Sequence, residues 1–333
     1  MILDAQQPGA IAQAAAAVQR GDLLGLPTET VYGLAADACN AAAVAAIFEA
    51  KGRPTNHPLI VHVANAAGVH AFASQVPDFA QRLMDAFWPG PLTLILPRRP
   101  EVGTAAAGGQ DSIGVRCPSH PVAQALLQVC AQLGVTGVAA PSANVFGRVS
   151  PTTALHVQSE FGQDLLVLDG GACAVGIEST IVDCTRGAPV LLRPGQISRA
   201  QITAACGQTV LDKESLSAPA PRASGTLASH YAPRAKVRLM SGSALQTALQ
   251  ALGVHANNLA VWSRNHPAGQ DRQAASAGVL WRAMPQDAAD AAQALFGLLR
   301  DFDARGAQQI WIETPPDTPE WEGVRDRLQR AAA

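Results

Sequence analysis

A predicted helix gives way to a predicted strand in the segment Lys51-Gly52-Arg53-Pro54-Thr55-Asn56-His57-Pro58-Leu59-Ile60-Val61-His62. Pro54 cannot continue a helix, and the apolar residues before His62 are typical of a short buried strand. Lys51 is one of only three lysines among the 24 basic residues of the chain. A lysine beside an arginine suits phosphate binding, but cations also favour the end of a solvated helix. The segment alone leaves both interpretations open.

The composition is that of a globular chain without a strong charge bias. Its 333 residues are enough for two domains, 48% of them are hydrophobic, and the formal net charge is −2. This balance argues against a broad basic surface for nucleic acid, although a local basic cleft remains compatible with it. The six cysteines are scattered without a Cys-x-x-Cys pair, which favours buried thiols in a reducing compartment over zinc or disulfides. We see no secretory signal and no apolar run that could span a bilayer, so we expect a cytoplasmic protein without membrane contact.

Helical and strand patterns alternate along the chain, which is typical of an α/β protein. Residues 214–235 are rich in Pro, Ser and Ala and read as a linker, but they contain a His-Tyr pair that a plain spacer rarely needs. We therefore predict a first domain at residues 1–213, a docking linker at 214–235 and a small α/β domain at 236–333. Ser150, followed by Pro151, is predicted to cap a helix whose N-terminus could receive an anion.

The chemistry-bearing residues are single hydroxyls and arginines near predicted strand ends. No Gly-x-x-x-x-Gly-Lys-Ser/Thr loop, Gly-x-Gly-x-x-Gly loop or zinc-protease motif is present in the sequence. Each charge-assisted hydrogen bond contributes about 1.5–3 kcal/mol, so three or four cations could hold a triphosphate together with a carboxylate. Each residue also has a plain alternative: Thr30 as part of a helix cap, His62 as a structural histidine, Arg116 in a surface ion pair. The residues in question are Thr30, Arg53, Ser112, Arg116, Ser142, Ser150, Ser179 and Arg193.

Taken in order, these segments resemble the long, two-domain form of the L-threonylcarbamoyladenylate synthases of the YrdC type. The matching segments cover most of residues 1–235: 27–34, 51–62, 88–93, 140–153, 176–183, 192–195 and the tetrad His230-Tyr231-Ala232-Pro233. The resemblance implies a YrdC-like twisted mixed sheet with flanking helices, plus a smaller C-terminal Rossmann-like α/β domain. It also implies that the 214–235 linker closes over the active site.

The family resemblance implies an enzyme that converts L-threonine, bicarbonate and ATP into threonylcarbamoyl-AMP and pyrophosphate. The product would pass to a tRNA threonylcarbamoyl-transferase complex that modifies adenosine 37 of tRNAs reading ANN codons, so that tRNA is an indirect partner. Mg²⁺ would arrive with ATP through the phosphates, and no side chain is assigned to it. Lys51 and Arg53 are implied as the catalytic cations.

Site residues carry over from the family by matching position. The threonine contacts implied in this way are Thr30, His62, Arg116, the Ala140 backbone and Ser179. The implied ATP contacts are Lys51, Arg53, His57, Ser112, Ser142, Asn144, Ser150, Arg193 and, from the linker, Tyr231. No general base is obvious among them, which favours positioning as the source of rate.

The sequence departs from the family at two places and leaves two other functions to consider. Ala35 replaces a glycine of many relatives, and Ser224-Gly225-Thr226 stands where many have Pro-Gly-Met, which puts the detailed contacts of the linker in doubt. One alternative is an RNA-binding module of YrdC fold; the acidic balance and an aromatic content of 5% weigh against it. The other is a carbamoyl-transfer enzyme of the hydrogenase-maturation kind, which would predict additional acylphosphatase and zinc-finger segments that this sequence lacks.

Overall fold

The structure, a computed structural model, describes residues 1–217, 219–227, 230–252, 258–265 and 279–333. These residues form two compact units, one of Met1–Phe146 with Ser150–Thr226 and one of Gly147–Val149 with Leu227–Ala333. The division at Thr226 falls inside the predicted linker, so residues 214–226 belong to the first unit. Residues 218 and 228–229 of that linker lie outside the described residues.

The first unit contains six helices and eleven strands among its described residues. Its helices are α1 Ala10–Arg20, α2 Ala41–Lys51, α3 Asp78–Phe87, α4 Pro121–Gln132, α5 Ala154–Phe161 and α6 Arg199–Cys206. Its strands are β1 Ile2–Asp4, β2 Leu24–Leu26, β3 Gly33–Asp37, β4 Ile60–His62, β5 Leu92–Pro97, β6 Ser112–Arg116, β7 Val138–Ala139, β8 Leu166–Asp169, β9 Thr180–Asp183, β10 Val190–Arg193 and β11 Leu211–Asp212.

The eleven strands form one mixed sheet in the order β1-β8-β2-β3-β7-β4-β6-β5-β9-β10-β11. Helices α1 and α4 pack into one apolar cluster, and α2, α3, α5 and α6 contribute to another. A third, smaller cluster joins Ile60, Ile95 and Ile181 on the central strands, with Leu216 and Ala223 packed against it. The 214–226 segment is therefore attached to the sheet by apolar contacts.

Helix α2 delivers the first cation of the opening segment. The Asn40 side chain accepts hydrogen bonds from the Ala42 and Ala43 amides and caps its start. Gly52 ends it in the left-handed conformation, with φ 59°. Lys51 thus lies in the last turn, as predicted.

The predicted cap of α5 is wrong. Thr153, not Ser150, caps this helix, and its hydroxyl accepts from the His156 amide. Pro151 lies before the helix because its carbonyl accepts from the Tyr32 amide, which ties residues 150–152 to a distant loop. The Ser150 hydroxyl is used elsewhere, as described below.

The second unit alternates strands and helices, as predicted. Its elements are β12 Lys236–Met240, α7 Gly242–Leu252, β13 Leu259–Ser263, β14 Val279–Ala283, α8 Ala288–Ala304, β15 Gln309–Glu313 and α9 Glu322–Ala331. Its four strands are parallel and ordered β12-β15-β13-β14, which confirms the Rossmann-like prediction. In the described ranges of both units, no helix combines the length and apolarity needed to cross a membrane.

Candidate active site

Five neighbouring strands bring their polar residues to one edge of the large sheet. His62 pairs with Arg116 at the carboxyl ends of the parallel strands β4 and β6. Strand β5 runs antiparallel to β6, and β9 runs parallel to β5, so both begin at this edge. Strand β10 runs antiparallel to β9 and ends there, with Arg193 opposite Ile181. The alternation of directions places strand exits and strand entrances side by side.

Arg116 is the centre of the predicted threonine site. Its guanidinium donates to Thr30 Oγ1 at 2.8 Å and to the Gly90 carbonyl at 3.3 Å, and it lies 2.6 Å from Glu29 Oε1. Both members of the ion pair are buried. The prediction that Thr30 and Arg116 lie together is confirmed, whereas the alternative of a surface ion pair is wrong.

Glu29 was not among the predicted site residues, although it directly precedes Thr30. Burial alone would raise the pKa of its carboxyl, but the charge of Arg116 and its close contact with the carboxylate bring the pKa below its ordinary value. The carboxylate is therefore ionised at neutral pH and compensates the arginine. The only signal in the sequence was an acidic residue inside a run of small hydroxyls.

His62 is a neutral imidazole in this environment. Burial, together with the nearby positive charge of Arg116, lowers its pKa to about 3. A neutral ring can accept or donate one hydrogen bond at each nitrogen but carries no charge to hold a carboxylate. His62 can thus orient a polar group without competing with Arg116.

The loop of residues 28–34 connects this pocket to the predicted phosphate site. The Leu34 amide donates to the Pro141 carbonyl at 2.7 Å, and the Ala143 amide donates to the Tyr32 carbonyl at 2.8 Å. The Ala140 amide donates to the Ile60 carbonyl at 3.0 Å, which fixes this backbone against β4. Gly33 is required at the contact, because a Cβ there would lie 2.9 Å from the Ala140 methyl. The two groups of predicted residues therefore share one framework.

Lys51 lies at the other end of that framework. Its Nζ donates to the carbonyls of Ser142 and Asn144, each at 2.5 Å. The side chain is buried, and desolvation together with the Arg53 charge holds its pKa well below the ordinary value. A phosphate next to this amine would restore its preference for the charged form.

Arg53 is positioned by the turn that follows α2. It donates to the His57 carbonyl at 3.2 Å and the Pro58 carbonyl at 2.9 Å, and its guanidinium lies 5.4 Å from the centre of the Phe146 ring. His57 meets the same ring edge-on at 5.5 Å. Burial and the charges of Arg53 and Arg222 lower the pKa of His57. Both residues thus contact the Phe146 ring.

Arg193 joins the ends of β9 and β10. It donates to the Ser179 carbonyl at 2.9 and 3.0 Å and to the Ser179 hydroxyl at 3.2 Å. The Ser179 hydroxyl is also 2.8 Å from Thr93 Oγ1. Arg193 further donates to the Ser224 carbonyl at 2.9 Å, while Arg53 donates to the Ser224 hydroxyl at 3.3 Å. Ser224 therefore bridges two predicted ATP contacts.

Two predicted ATP contacts have other placements. The Ser150 hydroxyl donates in a short hydrogen bond to the carboxylate of Glu178, the residue before Ser179. Ser112 opens β6, opposite Pro97, and lies four residues before Arg116. At about 3.3 Å per residue, Ser112 is on the order of 13 Å from the Arg116 end of the strand. Ser112 therefore lies at the opposite end of β6 from the sheet edge that carries Arg116, and its contact with ATP stays a prediction.

Tyr231 is described as part of the second unit. Its ring packs on Phe296 with centroids 5.4 Å apart, and the Arg327 guanidinium lies 5.5 Å from its centre. Its contact with a nucleotide stays a prediction. Among the described residues, no group of three His, Cys, Asp or Glu side chains could enclose a metal ion.

Comparison with known proteins shows which family the chain matches. Residues 16–195 match the Sua5/YciO/YrdC family, described as "Telomere recombination", and residues 197–333 match "Threonylcarbamoyl-AMP synthase, C-terminal domain". The threonylcarbamoyl-AMP synthase of Bacillus subtilis is 38% identical, over 97% of this chain and 92% of that protein. The chain belongs to the threonylcarbamoyl-AMP synthase family. The synthase of Pyrococcus abyssi is 43% identical over 69% of this chain and 67% of its own length.

Solved structures of P. abyssi Sua5 confirm the fold class. The complex with L-threonine has a TM-score of 0.87 at 32% identity and covers 100% of this chain and 97% of that one. A variant of the same protein in which a histidine–tyrosine pair is replaced by alanines has a TM-score of 0.88 at 31% identity, with coverages of 100% and 96%. The predicted family, fold class and kind of enzyme are thereby confirmed.

Proposed function

We propose that this chain joins L-threonine, bicarbonate and ATP to give threonylcarbamoyl-AMP and pyrophosphate. The observation that carries the proposal is the shared sheet edge, where the buried polar cluster of Arg116, Glu29 and Thr30 lies on the same framework as Lys51. The threonine-bound relative supports the choice of amino acid. The family supports ATP as the second substrate.

The amino acid would lie at the Arg116 end of the site. Arg116 holds the carboxylate, because a guanidinium recognises carboxylates with directed, charge-assisted hydrogen bonds. Thr30 offers the hydroxyl that Arg116 contacts, Ser179 offers a hydroxyl bonded to Arg193, and His62 adds a neutral ring. The Ala140 backbone supplies the remaining predicted contact.

The nucleotide would lie towards Lys51. Lys51, Arg53 and Arg193 neutralise the phosphates, with Ser142, Asn144 and Ser150 beside them and His57 and Ser112 further along. An oxygen of the threonine carbamate forms a bond to the α-phosphorus as the bond from that phosphorus to pyrophosphate breaks. Charge neutralisation and positioning dominate such reactions, which agrees with the absence of an obvious nucleophile among these residues.

Mg²⁺ would enter on the phosphates of ATP, where it would neutralise charge on the departing pyrophosphate. The Ser150 hydroxyl and the Glu178 carboxylate are hard oxygen donors, so the residues present fit this ion. We further propose that the product is passed to a tRNA threonylcarbamoyl-transferase complex, with tRNA meeting that complex rather than this chain.

Pyrophosphate release from ATP tests the proposal. We expect release only when both L-threonine and bicarbonate are present, and we expect it without RNA. Release that ignores either small molecule, or that requires RNA, would reject the reaction and favour an RNA-binding module. L-Serine and L-valine serve as controls for recognition of the hydroxyl and the methyl group.

A further inference from the structure

The buried Glu29 carboxylate has so far been given no function beyond its ion pair with Arg116. Oε1 lies 2.6 Å from Arg116, but neither carboxylate oxygen has a hydrogen bond of good geometry to any residue the structure describes. The backbone amides of Glu29 itself and Ser119 also lower its pKa, but a carboxylate has about four acceptor positions, so capacity for a further donor remains. Buried carboxylates normally have their hydrogen-bonding capacity filled, because an unfilled one is costly.

Glu29 is also surrounded by groups that carry no charge at neutral pH. Besides Arg116, the charge of Glu29 influences the pKa of four described groups, His62, His120, Cys117 and Cys173. Burial lowers the pKa of both histidines and raises that of both thiols, so all four are neutral. The pocket thus holds one negative and one positive side chain, side by side and electrically balanced.

A balanced pair restricts what can bind. A simple carboxylic acid that bound to Arg116 would leave one uncompensated negative charge in a desolvated pocket, which is costly. An α-amino acid brings its own positive charge next to its carboxylate and keeps the pocket neutral. The oxygens of Glu29 that lack hydrogen bonds are acceptors of the kind that an ammonium requires.

We propose that Glu29 receives the α-ammonium group of the amino-acid substrate while Arg116 holds its carboxylate, and that Glu29 accepts the proton released when the amine is carboxylated. This inference rests on the proposed function. It supplies the proton acceptor that the sequence analysis did not find.

The proton balance of the step is complete. The threonine zwitterion and bicarbonate give the carbamate, which carries two negative charges, together with one water and one proton. A carbon–nitrogen bond forms, a carbon–oxygen bond of bicarbonate breaks, and the proton moves from nitrogen to Glu29. Once protonated, Glu29 no longer pairs with Arg116, so Arg116 can pair fully with the substrate carboxylate. The total charge of the pocket and substrates is unchanged.

Glu29→Gln tests the binding role by comparing L-threonine with (R)-3-hydroxybutyrate, the same molecule without its amino group. We expect calorimetry to show threonine affinity reduced by about tenfold or more, since a charge-assisted hydrogen bond is lost. The affinity for 3-hydroxybutyrate should rise, because Arg116 is then uncompensated. A merely structural role would weaken both ligands alike, so an unchanged ratio of the two affinities overturns the inference. Glu49→Gln, the same change at an exposed position of α2, is the control.

The pH profile tests the proton transfer. Loss of a general base costs about 10²–10⁴ in rate, so kcat of Glu29→Gln should fall by that factor and then rise with pH as bulk base takes over. Should Glu29→Gln not fold, Glu29→Asp retains the charge but withdraws it by one methylene. That variant should keep the preference for threonine and lose kcat, and wild-type kcat in it would reject the transfer. Because each test is read against active wild type, failure of this inference is distinct from failure of the proposed function.

Discussion

Removing Arg116 should expose how strongly the fold depends on its pairing with Glu29. In Arg116→Met, the buried carboxylate keeps its desolvation but loses its partner 2.6 Å away. Breaking a buried ion pair from one side costs about 3–5 kcal/mol. The unfolding temperature of a domain of this size falls by about 2–4 °C for each kcal/mol of stability lost. We therefore expect that of the first unit to fall by roughly 6–20 °C at pH 7.

The pH dependence gives the sign of the effect. In the wild type the pKa of Glu29 lies below its ordinary value of 4.5, so its pairing stabilises the fold above that pH and is lost as pH falls. Without Arg116, burial raises the pKa instead, and the variant should lose stability as pH rises through the raised value. The gap between wild type and variant should therefore widen from about pH 4.5 to 7.

Scanning calorimetry at both pH values measures this gap. The double variant Arg116→Met/Glu29→Gln should recover most of the loss, because no charge is left unpaired. Arg20→Met, which removes an arginine from an exposed ion pair, should change little. A single variant as stable as wild type, or a double variant no better than the single one, would refute the reasoning.

Three further predictions concern the site. Lys51→Met should raise the KM for ATP by about 10- to 150-fold, which corresponds to the loss of one charge-assisted contact of about 1.5–3 kcal/mol. Steady-state pyrophosphate release at saturating threonine measures this KM. An unchanged KM would show that Lys51 does not contact the nucleotide. His62, with a pKa of about 3, should show no titration in NMR spectra between about pH 5.5 and 8, and a midpoint in that window would contradict its burial as a neutral ring. Tyr231→Phe keeps the packing on Phe296 and should raise the KM for ATP by about 2- to 10-fold, because the hydroxyl predicted to contact the nucleotide is lost; equal kinetics would argue against that contact.

Local signals in the sequence predicted most elements of the fold. Helix α6 spans Arg199–Cys206 because Ser198 and Gln201 form a capping box at its start and Gly207 ends it. Helix α2 is bounded by equally local signals, Asn40 at its start and Gly52 at its end. Strand β3, Gly33–Asp37, was missed, since its glycine and alanines lack the β-branched residues that mark strands. It forms because neighbouring strands pair with it.

In the candidate site, too, some features follow from local sequence signals and others do not. The residue types and the order of the motifs led to the family, and with it to Arg116, Lys51 and Arg193. Neither the Ser150–Glu178 bond nor the Ser224 bridge between two arginines has a trace in the local pattern, because each joins residues distant in sequence.

By itself, the sequence determined the α/β class, the family and the identity of the cations, because periodicity, caps and short motifs are local properties. Only the tertiary structure decided that strand exits and strand entrances share one edge, and that Glu29 faces Arg116 inside it. Strand order and direction set that arrangement, and they result from hydrogen bonds between segments far apart in the chain. The charge state of a buried group depends on those same distant neighbours, so the role of Glu29 became visible only in the folded chain.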